Sequence, residues 1–375
     1  MLVHQMYLTS LQFVQFQLAN HCLTTAKITL AKSFGASPFF MSLLYYNMPV
    51  VQQKIRRKSS LRPEKITSIL NLREFSDKRN KVLFLRGTGG LGDILMHRML
   101  FEDIKKLNPQ AEIHFACPKK YHDAVVDHPF IDRILDVEEV QREEYLVFYN
   151  TTTACGRYEM GIAPLSGKHR SDIWANHCGF DLTKHDMQIS VTENEKSVGK
   201  KIIEDARDRD GPSVALCPVS AMLTKNLLGH QMVGVVDELR KKGCYVFGLH
   251  SMPVETLLQE DVPMIQGLKI RPWMSVINQA DYVISVDTSH FHCAGGMKKP
   301  LTGIFTFADG LVYGKYFDCE IVQKHRDRDP EWTCGPCYNW CDCTKTKEDL
   351  KPCLTEISVE DIMEKVNLMF EKCPI

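Results

Sequence analysis

A glycine-rich turn followed by a carboxylate is the first place where this sequence could do chemistry. Gly87, Gly89, Gly90 and Gly92 lie in the stretch KVLFLRGTGGLGDIL, and Asp93 comes directly after the last of them. Glycines let the backbone turn tightly and approach another group closely. A carboxylate at the start of a helix that faces a cleft has the position of a general base, and its alternative role is to cap the helix.

The sequence pattern G-x-G-x-x-G is also typical of a dinucleotide-binding turn, which would make the chain a nicotinamide-dependent oxidoreductase. That fold needs an acidic residue roughly 20 positions further on, at the end of the second strand, to hold the ribose hydroxyls. The second strand reads AEIHFACPKK, and Cys117, Pro118 and Lys119 stand at its end. The missing carboxylate disfavours the oxidoreductase, which we keep as an alternative function.

A loop in the second half of the chain combines hydroxyls with a cation. The stretch ALCPVSAMLTKN runs from an apolar strand into Ser220, Thr224 and Lys225. A lysine at this place suits a solvated surface as well as it suits a phosphate. A diphosphate leaving group needs a nearby cation, so we take these three residues as candidates for binding it.

A second loop, in the stretch ADYVISVDTSHFHCAGG, places polar residues where a buried strand ends and a helix begins. These residues are Asp287, Thr288, Ser289 and His290. Hydroxyls and free backbone N–H groups at a helix start can bind an anion without a metal. His292 follows within the first turns of the helix, where a ligand contact and an ordinary helix-face histidine are the two alternatives.

The composition is that of an ordinary globular protein with room for more than one domain: 375 residues, 44% apolar, 25% charged and a formal net charge of zero. A net charge of zero gives no indication that the protein binds a nucleic acid. No apolar run reaches the roughly 18 residues of a membrane-spanning helix, and the start of the chain does not resemble a secretory signal. We expect a cytoplasmic protein, either free or at the inner face of a membrane.

The order of predicted elements divides the chain into four parts. We read residues 1–79 as a helical extension that ends in the basic linker KIRRKSSLRPEK, for which a solvated surface and a peripheral membrane contact are both open. Strands are then expected at 82–86, 111–116 and 145–149 with helices at about 93–107 and 119–126, followed by strands at 213–217, 244–249, 282–286 and 301–305 with helices at about 230–242, 272–279 and 290–297. These two alternating series predict two Rossmann-like domains that face each other across a cleft. The predicted bounds are 80–205 and 206–330, followed by a cysteine-rich segment and helix at 331–375.

Taken together, these loops resemble glycosyltransferase family 9, the ADP-heptose heptosyltransferases. The stretch LRGTGGLGDILMHRML resembles the family's opening strand, glycine turn and first helix, and LCPVSAMLTKN is similar to its loop that ends in a lysine. DYVISVDTSHFHCAGGMKKPLTGIFTFADGLVYGKY resembles the family's second signature. The resemblance covers about residues 80–370 and implies the two-domain α/β architecture called the GT-B fold.

The resemblance also implies a reaction: inverting, metal-independent transfer of a sugar from a nucleoside-diphosphate sugar. ADP-heptose is the donor it favours, and a hydroxyl of a saccharide or glycolipid, such as a lipopolysaccharide core, is the acceptor. No cofactor is required in this scheme. A non-catalytic protein that binds a nucleotide sugar is a further alternative.

Roles follow from matching positions of the family's motifs. Asp93 corresponds to the proposed general base and Lys225 to the lysine that holds phosphate, while Asp287, Thr288 and His292 correspond to the second signature. We expect Asp287 to hold donor hydroxyls, at the opposite end of the donor from Lys225. The chain departs from the pattern near the expected donor pocket, where Ser289 replaces the usual glycine.

Five cysteines crowd into the stretch CGPCYNWCDCTKTKEDLKPC near the C-terminus. They are Cys334, Cys337, Cys341, Cys343 and Cys353. A C-x-x-C pair followed by further cysteines is compatible with structural zinc, but the second pair is C-x-C and one cysteine is surplus. Free thiols or local disulfides are the alternatives, and we expect no catalytic metal here.

Overall fold

The computed structural model describes residues 80–324, 334–340, 343 and 350–374. All of them belong to one compact unit, Thr67–Ile375, whereas the other unit, Met1–Ile66, falls outside the described residues. The predictions for residues 1–79, a helical extension with a basic run, therefore also lie outside them. Within the described ranges, no helix is long and apolar enough to cross a membrane.

Four parallel strands form the first sheet. They are β1 (Lys81–Leu85), β2 (Glu112–Ala116), β3 (Arg133–Leu135) and β4 (Val147–Asn150), in the spatial order β3-β2-β1-β4. Val82, Leu83 and Phe84 of the central strand are all buried, as expected for a parallel strand covered on both faces. The strand β2 ends at Ala116, so the residues after it are Cys117, Pro118 and Lys119, as predicted.

Five α-helices lie in this part of the chain, and the last of them packs against the helix Ile270–Gln279 of the second sheet. They are α1 (Leu91–His97), α2 (Phe101–Leu107), α3 (Ala154–Ile162), α4 (Arg170–His177) and α5 (Glu193–Ala206). The single helix expected at 93–107 is divided by a 3₁₀ turn at Arg98–Leu100, and the helix expected at 119–126 is a 3₁₀ segment, Lys119–Ala124. We call β1–β4 with α1–α4 the first half.

Six parallel strands form the second sheet. They are β5 (Ser213–Cys217), β6 (Tyr245–His250), β7 (Met264–Gln266), β8 (Tyr282–Val286), β9 (Leu301–Phe305) and β10 (Cys319–Gln323), in the order β10-β9-β8-β5-β6-β7. Its helices are α6 (Gly229–Lys241), α7 (Glu255–Gln259), α8 (Ile270–Gln279), α9 (Ser289–Gly296), α10 (Gly310–Tyr313), α11 (Pro352–Thr355) and α12 (Val359–Lys372). We call β5–β10 with α6–α12 the second half.

The central strands agree with the sequence-based prediction, and the strands it missed lie at sheet edges. Three edge strands, β3, β7 and β10, were not predicted. Two of them, β3 and β7, are only three residues long, and neither is fully buried. A short, half-exposed edge strand lacks the continuous apolar run that identifies a central parallel strand.

The two halves are held together by a cluster of charged side chains away from the strand ends. The Asp127 carboxylate accepts hydrogen bonds from Arg98 at 2.9 Å in the first half and from Arg271 at 3.2 Å in the second. Arg271 also pairs with Glu195 of α5 at 2.7 Å. These contacts fix how the carboxyl ends of the two sheets face each other.

Candidate active site

At two positions of the turn, neighbouring side chains leave no room for a residue larger than glycine. Gly89 has φ +124°, and a Cβ at this position would lie 2.7 Å from both Arg86 Nη2 and Asp93 Oδ2. A Cβ on Gly92 would lie 2.8 Å from Cδ2 of His292, which belongs to α9 of the second half. Gly92 therefore lets the start of α1 approach the start of α9 closely.

The other two glycines are less constrained. Gly87 donates its backbone N–H to Thr152 Oγ1 at 2.9 Å, at the end of the neighbouring strand β4. Gly90 is the N-cap of α1 with φ −87°, and a Cβ there would meet no atom of the described residues within 4 Å. The turn thus serves close packing around Arg86, Asp93 and His292.

Both carboxylate oxygens of Asp93 are engaged by arginines. Oδ2 accepts from Arg86 Nη2 at 2.7 Å, and Oδ1 accepts from Arg170 Nη1 at 2.8 Å. Arg86 comes directly after β1 and is itself tied to the β4 end, because its Nη1 donates to the carbonyl oxygens of Thr151 and Thr152 at 3.1 and 2.5 Å. The side chain of Asp93 is only 11% exposed.

This environment makes Asp93 a weak base in the arrangement observed. Burial by itself would raise the pKa of the carboxyl, but the Arg170 and Arg86 guanidinium groups outweigh it and hold the pKa well below its usual range. A carboxylate with so low a pKa accepts a proton poorly. Asp93 can act as a base only after one arginine has moved to another partner.

Arg170 has such partners in a network that crosses to the second half. Its Nε and Nη2 donate to Glu159 at 2.7 and 2.9 Å, and Glu159 also accepts from the Tyr313 hydroxyl at 2.8 Å. The guanidinium lies 5.3 Å from the centre of the Tyr313 ring. Because Tyr313 belongs to α10, the network connects the candidate base to both halves.

Lys225 and Asp287 form an ion pair, with 2.7 Å between Nζ and Oδ2. The sequence-based expectation placed them at opposite ends of one donor, and the structure differs because β5 and β8 are neighbours in the sheet, so the loops after them meet. Burial disfavours the ionised Asp287, yet the nearby Lys225 ammonium keeps the pKa of this carboxyl below its usual value. The pair is mostly buried, at 19% and 8% side-chain exposure.

The start of α9 has the geometry expected of an anion-binding helix terminus. Thr288 is the N-cap, and its Oγ1 accepts the backbone N–H of His290 at 3.2 Å. The same Oγ1 lies 3.0 Å from Nδ1 of the His290 ring. Ser289 is half-buried at the first helical position, with its Cα 3.6 Å from the place where a Gly92 Cβ would stand. Thr288, Ser289 and His290 are thus brought together beside the glycine turn.

Ser220 and Thr224 shape the loop that carries Lys225. Ser220 Oγ donates to the carbonyl oxygen of Met222 at 2.9 Å, and its backbone N–H donates to Asn226 at 2.7 Å. The carbonyl of Thr224 accepts from Thr306 at 3.0 Å, while its own Oγ1 is buried with no partner among the described residues. Ser220 is thus used locally, whereas the Thr224 hydroxyl is available to a ligand.

His292 is buried beside Asp287 and Gly92. Its Nε2 lies 3.9 Å from Asp287 Oδ1, and its Nδ1 has no hydrogen-bond partner within the part of the chain that the structure describes. Burial, opposed by the Asp287 and Asp93 carboxylates, lowers the pKa of the imidazole to about 4. His292 is therefore neutral near pH 7.

Sequence reasoning missed the residues contributed by α3, α4 and α10. These are Glu159, Arg170 and Tyr313, to which Arg86 is added from the end of β1 and the buried His169 from the position just before α4. Arg86 carried a usable signal, since it is the only charged side chain between the strand and the first glycine. Tyr313 stands within the stretch that resembles the second signature, but its role there was not recognised. Glu159, His169 and Arg170 lie outside the motifs, and only the fold brings Arg170 to Asp93 and Glu159 and Tyr313 to Arg170.

The cysteine segment shows free thiols. Cys334, Cys343 and Cys353 are unbridged and half-buried, Cys337 is half-buried beside them, and Cys341 falls outside the described residues. Burial, together with the nearby thiols of the other three, raises the pKa of Cys353 to about 12. Among the described residues, no group of three or more His, Cys, Asp or Glu side chains is placed to hold a metal ion.

Solved structures with the same fold are glycosyltransferases. The glycosyl transferase family 9 protein from Veillonella parvula DSM 2008 matches with a TM-score of 0.59 and 13% identity, over 80% of this chain and 99% of that one. The E. coli ADP-heptose lps heptosyltransferase II matches with a TM-score of 0.55 and 14% identity, over 78% and 99%.

A third match is the bacterial iron-containing dodecameric glycosyltransferase TibC from enterotoxigenic E. coli H10407, with a TM-score of 0.58 and 13% identity over 80% of this chain and 78% of that one. Neither a protein-family model nor a curated protein sequence matches this chain. Identities this low establish the shared fold rather than the reaction. The predicted GT-B architecture, with two parallel α/β sheets, is confirmed.

Proposed function

We propose that this protein is an inverting glycosyltransferase that uses a nucleoside-diphosphate sugar, with ADP-heptose as the favoured donor. The acceptor is a hydroxyl of a saccharide or glycolipid, such as a lipopolysaccharide core. The observation that carries the proposal is the close approach of the two helix starts at the strand ends, Gly92 of α1 against His292 of α9. This approach puts a carboxylate of the first half beside a polar helix terminus of the second.

The donor is assigned to the second half. A diphosphate needs cations and backbone N–H groups, and both Lys225 and the start of α9 offer them. For Lys225 to bind phosphate, its ammonium must exchange the Asp287 carboxylate for a phosphate oxygen. Asp287 would then be free to accept hydroxyls of the sugar, as the family resemblance implies. ADP-heptose is favoured because the similar E. coli protein is described as an ADP-heptose heptosyltransferase.

The acceptor is assigned to the first half, with Asp93 as its base. The acceptor hydroxyl would give its proton to Asp93 as its oxygen attacks the anomeric carbon, and the diphosphate would leave with the bonding electrons. This requires Arg170 to release Asp93 Oδ1, which raises the pKa of the carboxyl. Arg170 can keep its two bonds to Glu159 during that change.

A second candidate is a non-catalytic protein that binds nucleotide sugars. The observation that favours it is the double arginine contact on Asp93, which suppresses basicity. A nicotinamide oxidoreductase is disfavoured, because Cys117, Pro118 and Lys119 rather than a carboxylate stand at the end of β2.

Binding and transfer assays separate these functions. Purified protein is titrated with ADP, ADP-heptose and NADH by calorimetry, then incubated with ADP-heptose and a lipopolysaccharide core oligosaccharide while the products are followed by mass spectrometry. A transferase binds ADP-heptose and extends the oligosaccharide. A non-catalytic binding protein binds ADP-heptose but does not extend the oligosaccharide. Binding of NADH without binding of ADP-heptose would contradict both functions.

Metal independence belongs to the same proposal. Transfer should persist in excess EDTA, because Lys225 and a helix terminus neutralise the phosphate. Loss of transfer on chelation, with recovery on adding magnesium, would contradict this. Metal analysis of the purified protein tests the open alternative of structural zinc at the cysteine segment. We further propose that the protein acts in the cytoplasm, with any membrane contact made by residues 1–79.

A further inference from the structure

Two buried histidines near the candidate site each keep one ring nitrogen without a partner. His169 is 1% exposed and precedes α4, and His292 is 3% exposed in α9. Nε2 of His169 and Nδ1 of His292 have no hydrogen-bond partner among the described residues. A buried polar atom left unpaired is costly, so such atoms mark places where a water or a ligand belongs.

The tautomer of His169 follows from its contacts. Its Nδ1 accepts the backbone N–H of Ser171 at 3.2 Å and lies 2.6 Å from the Ser171 hydroxyl. Because a backbone N–H can only donate, Nδ1 carries the lone pair and the proton of the neutral ring sits on Nε2. Burial, reinforced by the neighbouring His292, lowers the pKa of His169 to about 3, so the ring is neutral near pH 7. The unpaired nitrogen of His169 is therefore a donor.

His292 has the complementary tautomer. Its Nε2 faces the Asp287 carboxylate at 3.9 Å, an environment that favours a proton on Nε2. Gly92 lies against the Cδ2 edge of the ring, which leaves Nδ1 on the opposite edge. The unpaired nitrogen of His292 is therefore an acceptor.

The two rings lie close to each other across the boundary between the halves. His292 is near enough to His169 that its protonation would further lower the pKa of the His169 imidazole. Both rings also border the same loop, since the His169 ring lies 5.0 Å from that of Tyr316, and the His292 ring lies 6.2 and 6.5 Å from those of Tyr313 and Phe317. An unpaired donor and an unpaired acceptor are thus both buried against the segment 313–317.

We propose that one hydroxyl of the donor sugar is held between these histidines, accepting a hydrogen bond from Nε2–H of His169 and donating one to Nδ1 of His292. A hydroxyl is the group that can do both at once. His169 of the first half would then contact the donor sugar directly. A sugar that lacks this hydroxyl would leave both nitrogens unpaired. The identity of the sugar rests on the proposed function, whereas the pairing of the two nitrogens does not.

Side-chain amides give matched variants. In His169→Asn the amide oxygen can replace Nδ1 in capping α4 while the Nε2 donor is lost, and His169→Gln keeps a donor near Nε2. For His292 the choice is reversed, since His292→Gln keeps a group near Nε2 and loses the Nδ1 acceptor, which His292→Asn retains. The melting temperature of each variant is measured to check that it is folded.

Calorimetry with ADP and ADP-heptose provides the first test. His169→Asn and His292→Gln should each weaken ADP-heptose about three- to tenfold, as expected for one neutral hydrogen bond, and leave ADP unchanged. His169→Gln and His292→Asn should recover part of the loss. The double variant His169→Asn/His292→Gln should lose less than the product of the single effects, because both groups hold one hydroxyl. Unchanged ADP-heptose affinity, or equal losses for ADP, would overturn the proposal.

A high-resolution crystal structure of the unliganded protein is the second test and does not depend on the donor. We expect one water oxygen within about 3.2 Å of both nitrogens. A direct hydrogen bond between the two rings would overturn the proposal. If the wild-type protein binds no ADP-heptose but holds this water, the proposed donor fails and the paired site stands.

Discussion

Lys225 Nζ lies 2.7 Å from Asp287 Oδ2, so the cation and the carboxylate at the ends of two neighbouring strands neutralise each other before any ligand binds. Both side chains are mostly buried, and breaking such a pair leaves an uncompensated charge. An anionic ligand offers Lys225 a replacement partner and releases Asp287 at the same time. Phosphate binding and sugar binding are thereby coupled through one ion pair.

This exchange predicts opposite effects of the two partners on ADP affinity. Lys225→Ala should weaken the affinity for ADP by about one to two decades, which is the effect expected when a charge-assisted contact to phosphate is lost. Asp287→Asn should leave ADP affinity equal or tighter, because the ammonium no longer has a competing carboxylate, and should weaken ADP-heptose. Calorimetry measures both, with the exposed Lys200→Ala on α5 as control. If Asp287→Asn impaired ADP binding as badly as Lys225→Ala, Asp287 would be organising the phosphate loop instead.

Replacing the candidate base tests the catalytic part of the proposal. Asp93→Asn keeps the shape of the side chain and an oxygen for an arginine, and it should lower the transfer rate by about 100-fold or more, as for loss of a general base. The ADP-heptose affinity should stay within a few-fold of wild type. The rate is measured at saturating donor, with the melting temperature as a check on folding. An unimpaired rate would leave Asp93 only the role of anchoring Arg86 and Arg170.

The close approach of α1 to α9 predicts a contrast between two neighbouring glycines. Gly92→Ala places a Cβ 2.8 Å from His292, so the helices must separate, and both stability and transfer should fall. The Cβ of Gly90→Ala meets no atom within 4 Å in the part of the chain that the structure describes, at φ −87°, and we expect its free energy of unfolding to stay within about 0.5 kcal/mol of wild type. Urea denaturation and the transfer assay distinguish the two. Equal tolerance of both substitutions would show that the contact is dispensable.

Five buried histidines predict a loss of stability in mild acid. His97, His128, His169, His290 and His292 have pKa values lowered by burial to about 3 or 4, from an ordinary value of 6.5. Below pH 6.5 the unfolded chain binds protons that the folded protein does not. Each histidine should therefore lower the free energy of unfolding by up to about 1.4 kcal/mol per pH unit as the pH falls toward its folded pKa.

Urea denaturation at pH 7, 6 and 5 measures this slope. His128→Gln provides the matched variant, because His128 Nε2 contacts the Arg98 carbonyl at 2.9 Å and a glutamine amide can keep that bond without titrating. The slope should fall by up to about 1.4 kcal/mol per pH unit in this variant. A free energy of unfolding that does not change between pH 7 and 5 would contradict the prediction.

The sequence by itself determined the architecture and the local chemistry of the strand ends. Buried parallel strands are continuous apolar runs, and the carboxyl ends of such strands carry the functional loops, so β1, β5 and β8 and the polar residues after them were predictable. The glycine turn, Asp93 and the start of α9 could be identified for the same reason. Each of these signals is contained within about twenty neighbouring residues.

Only the tertiary structure decided which of these groups are free to react. Arg170 reaches Asp93 from a helix 77 residues further along the chain, and Glu159, 66 residues beyond Asp93, holds Arg170. No local pattern indicates either contact. The Lys225–Asp287 pair depends on the neighbouring positions of β5 and β8 in the sheet. The pKa of a carboxyl depends on burial and on charges within a few ångströms, and these are set by packing rather than by sequence separation.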